Sequence, residues 1–171
     1  MRRRLPDVIK VLRLFAKHEV EVVVVGGVAA ILHGAPLATW DLDLVPNRTV
    51  ENVERLEAAL AEMDAFYREH ADWRPAPEAR WLLGRGHHLL ETSEGSIDIL
   101  GVVTGDRDYQ ALITECDAIP LTDGVTAYVV NLEMLIRLKQ EAGRDKDLAV
   151  VPLLRATLEE RRKLPSEEEG S

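Results

Sequence analysis

Two acids one residue apart, Asp41 and Asp43, carry the first chemical signal in the chain. They lie in Asp41-Leu42-Asp43-Leu44-Val45, where acid and apolar side chains alternate. In a strand, residues i and i+2 share a face, so both carboxylates crowd one side of a sheet while Leu42 and Leu44 anchor the other. Like charges that close repel unless a cation lies between them, and a hard divalent ion such as Mg²⁺ prefers oxygen ligands. Asp98, in Ser96-Ile97-Asp98-Ile99-Leu100, has the same apolar setting. If its strand lies beside the first, the carboxylates of Asp41, Asp43 and Asp98 converge. Such a set suits two Mg²⁺ ions, or Mn²⁺ in their place, one on a triphosphate and one on an attacking hydroxyl. Gly26-Gly27 suits the other half of that chemistry. Ahead of a helix, a turn without side chains lets backbone N–H groups approach a phosphate.

These residues need elements to hold them. Residues 5–18 carry apolar side chains at Leu5, Val8, Ile9, Leu12 and Phe15, a helical stripe. Residues 21–25 form a strand apolar on both faces, hence central in its sheet. A short helix follows over 28–33, stopped by Gly34 with Pro36 behind it. The acidic strand spans 41–45, and Thr49 caps a helix reaching about Met63. Residues 66–86, with Pro75 and Pro77, read as a long irregular connection or insert. A hairpin pairs 87–91 with 96–100, a short helix covers 108–114, and strands span 118–121 and 125–130. Asn131 caps a helix over 132–141, Gly143 breaks it, and a last helix spans 145–162 with Pro152 inside. The predicted class is α/β: a mixed β-sheet flanked by helices, with C-terminal helices. Residues 1–164 are expected to form one domain and residues 165–171 a disordered acidic tail.

At this point the chain resembles a known group. Val24-Val25-Gly26-Gly27-Val28-Ala29-Ala30-Ile31-Leu32-His33-Gly34, followed by Thr39-Trp40-Asp41-Leu42-Asp43-Leu44, resembles the AbiEii/MenT-type minimal nucleotidyltransferases of the DNA polymerase β-like superfamily. Lys139, Ala142, Arg144, Lys146 and Asp147 are similar to that group's Lys-x-x-Ala-x-Arg-x-Lys-Asp segment. The resemblance covers residues 21–154. It implies that Gly26 and Gly27 cradle a triphosphate, and that Asp41 and Asp43 bind metal. It implies that Asp98, the third carboxylate, helps deprotonate an acceptor hydroxyl. Lys139 would reach the nucleotide phosphates, with Arg144 and Asp147 supporting that pocket. The implied reaction moves a nucleotidyl group from an NTP to a hydroxyl on a tRNA 3′ end or a protein. Such proteins are often toxins of toxin–antitoxin or phage-defence pairs, which implies an antitoxin partner. The group often carries an arginine four residues before its Asp-x-Asp, where this chain has Leu37.

Composition narrows the setting. The chain has 171 residues, 46% of them hydrophobic, which suits one domain with its own core. A single cysteine, Cys116, excludes a disulfide scaffold and a cysteine-based zinc site, and points to a reducing compartment. No apolar run approaches the roughly 20 residues of a membrane span, and charged residues interrupt the start, so the expected address is the cytoplasm. With 21 Lys and Arg against 30 Asp and Glu, the net charge is −9. Whole-surface binding to phosphate backbones is therefore excluded. The basic clusters Arg2-Arg3-Arg4 and Arg161-Arg162-Lys163 are the candidate RNA contacts.

Plainer readings stand beside these. Lys139 and Arg137 suit a solvated helix face, and Arg144 with Asp147 an ordinary i,i+3 pair. His87 and His88 point to opposite strand faces, so one of them is a candidate to face the site. His33 suits a helix end. Trp73 and Trp81 suit packing, or stacking on a base. Cys116 suits a buried small apolar position. Two other functions compete with the first. One is a small-molecule nucleotidyltransferase modifying an antibiotic hydroxyl, with residues 66–86 shaping an acceptor pocket that favours an aminoglycoside-like polycation. The other is a non-catalytic nucleotide- or partner-binding relative. Retention of three acids argues against the last, because unbalanced buried carboxylates are costly.

Overall fold

The computed structural model describes residues 5–164; Arg2-Arg3-Arg4 and the acidic tail lie outside the described residues. Helix α1 (Val8–Lys17) begins where the Asp7 carboxylate accepts the Lys10 N–H at 3.1 Å, and it buries Val11, Leu12 and Phe15. Four valines make β1 (Val22–Val25), buried on both faces as its β-branched, wholly apolar pattern requires. Helix α2 (Gly26–Leu32) starts at once, two residues earlier than the sequence pattern predicts. Gly26 makes this turn with φ +68°, a left-handed backbone that favours glycine. His33 caps the end of α2 and Gly34 follows at φ +96°.

The acidic strand is β2 (Leu42–Pro46), with Asp41 immediately before it. Thr49 then caps α3 (Val50–Glu62), its hydroxyl accepting the Asn52 N–H at 3.2 Å. The segment expected to be irregular carries its own structure. It contains a two-residue strand β3 (Phe66–Tyr67), a 3₁₀ turn (Arg68–His70) and a short helix α4 (Ala79–Leu82). Trp73 and Trp81 are 71% and 56% exposed, so neither is a core residue as the packing reading expects. The hairpin is β4 (His87–Thr92) and β5 (Gly95–Leu100). Then come α5 (Tyr109–Ile113), β6 (Cys116–Pro120), β7 (Thr126–Val130), α6 (Leu132–Ala142) and α7 (Asp145–Lys163). Gly143, at φ +65°, separates the last two helices, and Pro152 lies inside α7 without ending it. Cys116 is half-buried rather than buried, its thiol donating to the Leu112 carbonyl, and burial pushes its pKa up to about 12.

The strands form one mixed sheet in the order β3-β4-β5-β2-β1-β7-β6. β1 pairs antiparallel with β2 and parallel with β7, while β2 pairs parallel with β5. The strand alternation sends Leu42, Leu44, Ile97 and Ile99 to one face, all fully buried, in a core that also holds Leu12 and Phe15 of α1 and Leu56 and Leu60 of α3. Asp43 and Asp98 take the other face, which α6 and α7 overhang. The sheet is thus dry on one side and carries a polar cleft on the other.

Candidate active site

Register brings the acids together. Val25 faces Asp43 across β1 and β2, Asp43 faces Asp98 across β2 and β5, and Asp98 faces Leu89 across β5 and β4. These residues form one row, with neighbouring strands about 4.8 Å apart. Asp41, two residues before Asp43, lies on the same side. With Gly26, Asp41, Asp43 and Asp98 line a cleft of about 460 Å³. The opposite wall carries Lys139 of α6 with Arg144, Lys146 and Asp147 at the start of α7. Residues drawn from four strands and three helices therefore meet in one place.

The two glycines do different jobs. A Cβ on Gly26 would collide with the Asp43 carboxylate, so the bare backbone lets β2 and the β1–α2 turn approach. Gly27 points elsewhere. A Cβ there would lie 2.7 Å from the Thr39 hydroxyl, so its role is to seat the segment leading to Asp41. Only Gly26 of this pair lines the cleft.

The carboxylates differ in their partners. Asp147 is 2% exposed and receives both the Lys139 ammonium, at 2.8 Å, and the Arg144 guanidinium. Burial by itself would raise its pKa, but the hydrogen bonds from Arg144 and Lys139 outweigh that and hold it below the ordinary value. Asp43 has no ion pair or side-chain hydrogen bond among the described residues. Burial first, and then the neighbouring Asp41 charge, push its pKa up to about 6, with Lys139, Arg68 and His87 opposing.

Arg68 is the residue that the sequence pattern does not signal. It stands in the 3₁₀ turn after β3, inside the segment expected to be an irregular connection. Its Nη1 donates to Asp41 at 2.9 Å and its Nη2 donates to Asp98. The side chain is 14% exposed, and its Nε is buried without a partner. The guanidinium thus bridges the two acids that flank Asp43. Of the two histidines, His87 lines the cleft, while His88 turns to the far face and hydrogen-bonds the Tyr67 hydroxyl at 2.8 Å. His33 lies outside the cleft lining, its Nε2 donating to the Val130 carbonyl at 2.9 Å and its Nδ1 facing Arg161. Arg161 is thereby engaged at the end of α2. Leu37 packs against the core.

The donor set has the chemistry that suits a hard cation: three carboxylates on one sheet face, with the Asp43 pKa raised by burial first and by the Asp41 charge second. As the side chains stand, no group of three or more His, Cys, Asp or Glu among the described residues is arranged to hold a metal ion. The donors are of the right chemical kind, but a guanidinium holds two of the three carboxylates.

No protein-family model matches the chain, and no curated protein matches it. Solved structures do. The antibiotic-resistance factor ANT(2'')-Ia is similar with a TM-score of 0.57 and 17% identity, over 88% of this chain and 82% of that one. TM1012 from Thermotoga maritima, a candidate nucleotidyltransferase, is similar with a TM-score of 0.53 and 18% identity, over 90% of this chain and 91% of that one. The chain therefore has the mixed α/β nucleotidyltransferase fold. No described helix is long and apolar enough to cross a membrane.

Proposed function

We propose that this protein is a metal-dependent nucleotidyltransferase that moves a nucleotidyl group from an NTP to a hydroxyl acceptor. The observation that carries this reading is the row of Asp43 and Asp98 in register, facing Lys139 and Arg144 across the cleft. Anionic oxygens on one wall and fixed cations on the other suit a Mg²⁺- or Mn²⁺-bound triphosphate lying between them. Asp41, Asp43 and Asp98 would hold the metal, which when bound neutralises phosphate charge and acidifies the attacking hydroxyl.

The chain's own residues supply the rest. Lys139 is held by Asp147, so its ammonium is fixed on the cleft wall that the phosphates would meet. Arg144, exposed at the rim, pairs with the same carboxylate. Asp98 takes the acceptor proton. The acceptor oxygen then bonds to the α-phosphorus, and the bond from that phosphorus to the bridging oxygen breaks to release pyrophosphate. Asp43, crowded between Asp41 and Asp98, needs a cation most.

The acceptor divides two readings. The resemblance in the Gly26-Gly27 and Asp41-x-Asp43 segments supports a tRNA 3′ end or protein hydroxyl, with a toxin role and an antitoxin partner. The likeness to an antibiotic-resistance factor across 88% of the chain supports a small-molecule hydroxyl. Incubation with Mg²⁺, each α-labelled NTP, and either total tRNA or an aminoglycoside panel decides between them. Label on one acceptor class, lost in Asp43→Asn, is the expected result. No transfer to any acceptor and no Mg²⁺-dependent NTP binding would refute the enzyme.

A further inference from the structure

We propose that Arg68 is a built-in counter-ion latch: its guanidinium bridges Asp41 and Asp98, and a divalent cation binds the carboxylate face by displacing it. This rests on the reading of Asp41, Asp43 and Asp98 as the cation site.

Three observations carry it. First, Arg68 takes one oxygen of Asp41 and one of Asp98, so a cation drawing on those oxygens competes directly with the arginine. Arginine stays protonated at all physiological pH values and cannot step aside by losing its charge. It must move.

Second, its resting place is incomplete. Two of its nitrogens are satisfied, but Nε is buried with no partner. A buried donor without an acceptor is unfavourable, and moving the side chain into water relieves it. The bridge is strong enough to neutralise the acids and imperfect enough to be exchanged.

Third, the anions and the cation sit on parts of different rigidity. Asp98 belongs to β5 and Asp41 immediately precedes β2, two adjacent strands in the middle of the sheet. Arg68 lies in a three-residue 3₁₀ turn behind β3, a two-residue strand at the sheet's outer edge. None of that turn's three residues is buried, so moving it costs the core little. Lys139 cannot take over the latch, because Asp147 holds it on the opposite wall.

Displacement makes the coupling reciprocal: whatever Arg68 contributes to the metal-free protein it subtracts from metal affinity. The test is a Mn²⁺ titration of the full chain without nucleotide, following free Mn²⁺ by electron paramagnetic resonance, for wild type, Arg68→Ala and Arg68→Lys. Thermal melts in EDTA and in Mg²⁺ run alongside. Arg68→Ala is expected to bind Mn²⁺ about tenfold tighter. It is expected to melt lower in EDTA and to gain more from Mg²⁺ than wild type does. Arg68→Lys keeps a charge but cannot bridge both acids, so it falls between; it also serves if the alanine variant fails to fold. Equal or weaker Mn²⁺ binding by a folded variant overturns the latch while leaving the metal site standing. No Mn²⁺ binding by any folded form overturns the latch and the metal-dependent reading together.

Discussion

Asp43 and Asp147 are the same side chain on opposite walls of one cleft, yet their acidities move in opposite directions. Asp147 meets two cations from nearby positions on adjoining helices, and its charge is neutralised within the wall that carries it. Asp43 sits on a central strand beside other acids, where burial and the Asp41 charge outweigh the pull of Lys139, Arg68 and His87. A satisfied buried carboxylate holds structure together. An unsatisfied one stores electrostatic free energy that a ligand can release. On the proposed reading, the difference suits Asp147 to positioning Lys139 and Asp43 to the chemistry.

Substitution of the acids separates these roles most widely. Asp43→Asn is expected to lower nucleotidyl transfer by about 10³-fold. It should leave the melting temperature in EDTA unchanged or higher, because a desolvated, like-charged group is gone. Asp147→Asn should do the reverse in stability, losing about 2 kcal/mol by chemical denaturation, since buried donors then lack a charged acceptor.

Gly26→Ala follows in size. Its positive φ disfavours any side chain, and the added Cβ meets the Asp43 carboxylate. A loss of about 1 to 3 kcal/mol is expected, with transfer activity falling further than stability. Urea unfolding and the label-transfer assay measure the two effects separately.

The pH dependence of stability in EDTA should show both carboxylates with opposite signs. Asp43 has a folded pKa of about 6 against an ordinary value of 3.8, so the folded state holds its proton longer. Stability attributable to it therefore falls as pH rises from about 4 to about 6, by an amount on the order of 3 kcal/mol. Asp147 has its folded pKa below 3.8. Its contribution is complete above that pH and is lost as pH falls through the folded value. Asp43→Asn should flatten the first slope and leave the second.

Arg144→Gln is the smallest effect. The guanidinium is exposed, so the Lys139 contact alone should preserve most of the Asp147 charge pairing. A loss of about 0.5 kcal/mol is expected, detectable as a small shift in urea midpoint.

Much of this site is legible in the linear chain. The alternation Asp41-Leu42-Asp43-Leu44 predicts a strand with one acidic face, and the four valines of β1 predict a central strand. Asp98 in its apolar run predicts a third acid, and Asn131 and Gly143 mark the bounds of the helix that carries Lys139. These signals are local, because side-chain period, caps and turn residues act within a few positions. Whether β5 lies beside β2 is another matter. Nothing local selects parallel pairing of Asp43 with Asp98, and this contact joins segments 55 residues apart.

Residues 66–86 show the limit most plainly. Their prolines and lack of periodicity predict a connection, and the segment does connect. Yet Phe66 and Tyr67 add an edge strand to β4, and that pairing places Arg68 at the carboxylates. A two-residue strand has too few positions to show an alternation. Local chemistry by itself determined the acids, the glycine turn and the helix caps. Only the tertiary structure decided that one arginine neutralises two of those acids while the third is left wanting charge. Charge compensation depends on distance in space, and sequence pattern reports distance only along the chain.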